Sequence, residues 1–139
     1  MREILFKAKR IDNGEWVEGY LYIRKSGVFE ISRYDEELEV ERYTYEVVPN
    51  TLCQYTGLTD KNGNKIWEND IVDASWGWWD ASGPAGHDSP IIKVEWDDGY
   101  CGFTPFADYD CDCGVYIESN DVKVIGNIFD NPKLLEGGA

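Results

Sequence analysis

Residues 55–72 run Tyr55-Thr56-Gly57-Leu58-Thr59-Asp60-Lys61-Asn62-Gly63-Asn64-Lys65-Ile66-Trp67-Glu68-Asn69-Asp70-Ile71-Val72. Turn residues and strand residues follow one another in short blocks, a pattern that argues for antiparallel β structure. Asn62-Gly63, like Asn13-Gly14 upstream, reads as a hairpin turn, and Asn-Gly suits a tight one because both residue types tolerate positive φ. Ile66 and Trp67 then return the chain to a core. Asn69-Asp70 turns it again, with the Asp70 carboxylate placed to accept from backbone amides of that turn. Ile71-Val72 opens the next strand. Gly57, Asn62, Gly63, Asn69 and Asp70 are therefore expected to shape the backbone rather than to perform chemistry.

The same grammar extends in both directions. Upstream, Leu5-Phe6 and the run Trp16, Val17, Tyr20, Leu21, Tyr22, Ile23 favour strand and flank Asp12-Asn13-Gly14. Gly27 to Ser32 reads as a third strand. Leu38 to Tyr45 alternates apolar or aromatic with polar residues, the period of a half-buried strand, and Glu46-Val47-Val48 continues it until Pro49-Asn50. Downstream, Asp97-Asp98-Gly99 joins a strand over Ile91–Trp96 to one over Tyr100–Phe103. Val122 to Phe129 is a further strand, with Gly126 marking a bulge or a close approach. Helix is invited in two places: a short C-terminal turn after Asp130-Asn131-Pro132, and a single turn within 105–111. The expected fold is mainly β, one domain over 1–139. It comprises an antiparallel N-terminal sheet (1–50), a small barrel-like subregion (51–135) and a short C-terminal helix.

Composition fits a folded chain. The sequence has 139 residues and is 42% hydrophobic and 14% aromatic, too apolar for disorder and long enough to bury a core. No apolar run reaches the roughly 20 residues of a membrane helix. The start, Met1-Arg2-Glu3-Ile4, is soon interrupted by Lys7, Lys9 and Arg10, so a signal peptide is not expected and the bacterial cytoplasm is. Cys53, Cys101, Cys111 and Cys113 are then read as free thiols. The net charge is −14, unevenly spread: residues 1–50 carry 8 basic and 11 acidic side chains, residues 51–139 carry 5 and 16. Such a surface repels phosphate backbones, which disfavours direct nucleic-acid binding through Arg24, Lys25, Arg33 and Arg42. It favours solubility and, more sharply, attraction to a basic partner.

Residues 55–72 also resemble the YopX family of phage and prophage proteins, whose pattern is close to Y-T-G-L-x-D-x-N-G-x-x-I-aromatic-E-G-D-I-V. Two other segments fit: Phe6 to Tyr22, with Asn13-Gly14-Glu15-Trp16-Val17-Glu18-Gly19-Tyr20, and Val124-Ile125-Gly126-Asn127-Ile128-Phe129-Asp130-Asn131-Pro132-Lys133-Leu134-Leu135. The resemblance is weak over 24–45 and 75–115. Asn69 stands where the family usually has Gly, and Asn is the next-best residue at positive φ. The resemblance implies a β-rich fold and a phage or prophage origin. It supplies no catalytic residues.

Chemistry-bearing patterns elsewhere are weak. Asp108-Tyr109-Asp110-Cys111-Asp112-Cys113-Gly114 has the alternation of a calcium loop, but Gly falls one place late and Ser119 stands where the loop needs Glu. His87 with Cys101, Cys111 and Cys113 lacks the paired spacing of structural zinc. No metal and no cofactor is expected, and the reading leans against an enzyme. Residues 75–90 form a Gly-, Pro- and Ser-rich stretch carrying Trp76, Trp78 and Trp79. Two readings stand for these tryptophans: a partner-binding surface, since Trp is enriched at interface hot spots, or rings folded onto the loop's own core. The leading expectation is an accessory protein acting through protein–protein contacts. The alternatives are a self-assembling homo-oligomer, and a small-ligand or metal enzyme with a pocket near 75–113.

Overall fold

The computed structural model describes residues 3–35, 40–73, 91–99, 101–104, 106 and 119–136. These residues form strands β1 (Phe6–Lys9), β2 (Trp16–Ile23), β3 (Phe29–Asp35), β4 (Val40–Glu46), β5 (Cys53–Thr59), β6 (Lys65–Trp67), β7 (Asp70–Asp73), β8 (Ile91–Lys93), β9 (Glu95–Asp97), β10 (Gly102–Thr104) and β11 (Lys123–Asn127), and one short helix, α1 (Lys133–Glu136). The fold is mainly β and its pairings are antiparallel. The chain divides into two compact units, Met1–Tyr55 and Thr56–Ala139. The charge asymmetry changes at the same place, because residues 51–55 carry no ionisable acid or base beyond Cys53 and Tyr55.

In the first unit β1 to β4 run as a meander, and the start of β5 pairs with the free side of β1. β2 changes partner midway: Trp16–Gly19 pair with β1, Tyr20–Ile23 with β3. Gly19 sits at that change. A Cβ there would lie 2.2 Å from the Ser32 carbonyl oxygen, so this position needs a residue without a side chain. One face buries Ala8, Val17, Ile31 and Val47, with Phe6, Phe29, Tyr45 and Leu52 packed around them. After β4 the chain folds back onto β1: Arg10 bridges Val47, and the Val48 N–H donates to the Lys9 carbonyl at 2.9 Å. One bridge is not a ladder, and the sheet is not a closed barrel. A 3-10 turn at Pro49–Thr51 follows, opened by Pro49, and Thr51 Oγ1 accepts from the Lys9 N–H at 2.9 Å.

Sequence and structure differ at two points here. The third strand begins at Phe29, not Gly27, because Gly27 (φ 91°) closes the turn in which the Arg24 N–H donates to Val28. The Asn13-Gly14 turn is wider than a two-residue hairpin. The Arg10 N–H donates to the Glu15 carbonyl, and among the turn residues only Gly14 takes positive φ, while the Asn13 side chain accepts from the Glu15 N–H.

In the second unit β5 and β6 form a hairpin, β7 lies between β11 and β8, and β9 pairs with β10. Ile66, Val72, Val94, Phe103 and Val122 make the core, with Leu58, Ile92, Phe106 and Val124 against it. The described strands leave open sheets rather than a closed barrel. The strand expected over Ile91–Trp96 is two strands, since Val94 leaves both ladders. Its N–H donates to the Asp70 carbonyl (2.8 Å) and its own carbonyl accepts from the Asn69 N–H (2.7 Å). β11 is bulged between Val124 and Gly126, and the Asn131 side chain occupies the space a Cβ on Gly126 would need. The single turn within 105–111 falls outside the described residues apart from Phe106.

Candidate functional site

The turn between β5 and β6 is built around Asp60. The residue is 4% exposed. Its Oδ1 accepts from the Asn62 and Asn64 N–H groups, both at 2.9 Å, and its Oδ2 from the Val124 N–H at 3.0 Å. One carboxylate thus shapes the hairpin and ties it to β11. The Lys61 N–H adds a second tie, donating to the Val122 carbonyl. Burial pushes the Asp60 carboxyl up, but the hydrogen bonds from Val124, Asn64 and Asn62 outweigh it and hold the group below its ordinary value. Asp70 repeats the device. It is buried, and its Oδ2 accepts from the Trp67 N–H at 2.8 Å across the turn made by Asn69 at φ 71°. Gly57 and Gly63 take φ of 86° and 83°, whereas Asn62 does not enter the left-handed region. The Asn62-Gly63 turn is therefore wider than a tight hairpin, because Asp60 gathers its amides. In the sequence Asp60 reads only as part of a turn signal, and among 27 acidic residues nothing in spacing marks it as buried.

The outside of each unit carries aromatic side chains. Tyr20 and Tyr22 alternate on β2 and are 53% and 60% exposed. They stand opposite Ser32 and Glu30 of β3, on the face turned away from the core. Farther along the strand, the Lys7 and Lys9 ammonium groups lie 4.7 and 5.4 Å from the Trp16 ring centroid. In the second unit Trp96 of β9 is 46% exposed. Of the four basic residues singled out above, Arg24 is engaged by Glu30 at 2.6 Å.

Other candidates fall elsewhere. Trp76, Trp78 and Trp79 lie outside the described residues, as do His87, Cys111, Cys113 and the acidic stretch 108–114. Cys101 is exposed and Cys53 is buried, its Sγ donating to the Thr51 carbonyl. Among the described residues no group of three or more His, Cys, Asp or Glu is placed to hold a metal ion. No helix among them is long and apolar enough to cross a membrane.

The family model described as YopX protein matches residues 5–136. The chain belongs to the YopX family. The match takes in both units and the Asp60 and Asp70 turns, so the YopX motif coincides here with the buried carboxylates that brace the second unit. A solved structure similar to this YopX chain is that of protein EF1440 from Enterococcus faecalis. It is 24% identical, with a TM-score of 0.55, over 97% of this chain and 99% of that one. That likeness concerns the fold. No curated protein matches.

Proposed function

We propose that this YopX-family chain is a non-enzymatic phage or prophage accessory protein of the bacterial cytoplasm that works by contacting another protein. The observation that carries the reading is the exposed pair Tyr20 and Tyr22 on the half of β2 that pairs with β3. Both rings stand on the face turned away from the core, and tyrosine supplies contact area at low entropic cost. The motif carboxylates speak the same way, because Asp60 and Asp70 are occupied by backbone amides. Trp76, Trp78 and Trp79 are proposed as a separate partner-binding element.

Affinity capture from host lysate tests this, comparing the wild type with Tyr20→Ser/Tyr22→Ser and with Trp76→Ala/Trp78→Ala/Trp79→Ala. A protein enriched by the wild type and lost from either variant is expected. Enrichment of nothing, or of the same proteins by all three, contradicts the reading. The same tyrosine face is open to a second copy, which makes self-assembly the alternative. Light scattering separates the two, since a concentration-dependent dimer abolished in the tyrosine variant favours assembly.

A further inference from the structure

The β9–β10 hairpin places an aromatic ring at the surface and fixes it there. Trp96 and Phe103 are cross-strand partners and so share a face of the hairpin. Phe103 is part of the buried core, and the two rings meet edge to face with centroids 5.1 Å apart at 75°. At the other end the indole Nε1–H donates to Asp98 Oδ1 at 2.7 Å. Trp96 is thus an outward continuation of the core, held at two points, with 46% of its surface open. A ring so anchored loses little freedom when a partner covers it. Asp98 is the carboxylate beside the ring; Glu95, paired with Lys93 at 3.6 Å, and Asp97 alternate onto the other face of the strand, and the unit as a whole carries 16 acidic and 5 basic side chains.

We propose that the β9–β10 hairpin, led by Trp96, is a docking surface for a cationic, arginine- or lysine-bearing segment of a partner protein. A guanidinium or ammonium group is attracted to the electron-rich face of indole, and Trp is the best aromatic for that contact. The Asp98 carboxylate beside the ring adds to the attraction, and the field of the unit draws a basic chain toward it. A neutral apolar partner would gain nothing from the acids, and an anionic one would be repelled. The inference rests on the reading of this chain as a contact protein and names the chemistry of one partner surface.

The test is an NMR titration following the Trp96 indole N–H, assigned with Trp96→Phe, as a Gly-Arg-Gly-Arg-Gly peptide is added. The citrulline analogue, equal in shape and uncharged, is the control. Saturable movement of the Trp96 signal with the arginine peptide alone is expected. Binding should weaken about fivefold in Trp96→Ala and be largely kept in Trp96→Phe. Equal binding by wild type and Trp96→Ala overturns the proposal and leaves only diffuse attraction to an acidic surface. Movement of the signal with protein concentration alone also overturns it, by assigning the face to a second copy. A partner captured from lysate equally well by Trp96→Ala sinks this inference while leaving the contact reading intact.

Discussion

Asp60 shows how one carboxylate can replace several turn-specific residues. Three backbone N–H groups, from Asn62, Asn64 and Val124, converge on it in a site from which solvent is nearly excluded. Asp60→Asn keeps the shape but turns an NH₂ group toward donors, leaving buried N–H groups without an acceptor. The expected loss is about 2 kcal/mol in urea denaturation. The pH dependence follows from the lowered folded-state value. The unfolded carboxyl titrates at about 3.9, so the stabilisation is fully present above that pH and is lost as pH falls through the lower folded value. Wild-type stability should therefore decline below about pH 4, and the decline should be shallower in Asp60→Asn. Asp60 was not legible in the sequence because its role depends on Val124, 64 residues away in sequence. Asp70 was, because its amide partner is local, three residues back at Trp67.

At the scale of the strand, β2 carries the strongest steric demand. Its change of partner at Gly19 brings the Ser32 carbonyl to 2.2 Å from where a Cβ would be. Gly19→Ala should cost about 2 kcal/mol or more through the backbone shift it forces. By contrast, a Cβ on Gly14 meets nothing within 4 Å, and Gly14→Ala should cost only the left-handed backbone penalty, about 1–2 kcal/mol. Thermal melts of the two variants check the order. Strand positions were readable from alternation and from the Gly- and Asn-bearing turns. The exits were less so: Val94 interrupts a strand-favouring run because Asn69 and Asp70 claim both of its backbone groups, a pairing that composition does not announce. The surface aromatics were equally hidden. Tyr20-Leu21-Tyr22-Ile23 is apolar on both faces of the strand, and only the packed core tells which face is left outside.

Over the whole molecule the charge follows the division into units. The second carries a net −11 and the first −3. Like charges gathered in one unit oppose its compact state, and added salt screens them. Raising NaCl from about 20 mM to about 0.5 M should therefore raise Tm, an outcome checked by calorimetry, and a fall in Tm would show that specific ion pairs dominate instead. The central claim is that the YopX motif is a backbone brace rather than a reactive site. Amide hydrogen exchange of the wild-type chain, read residue by residue by NMR, tests it most directly. The N–H groups of Asn62, Asn64, Val124 and Trp67 should be strongly protected, because Asp60 and Asp70 hold them. Exchange of these four at the rates of an unprotected chain would contradict the account.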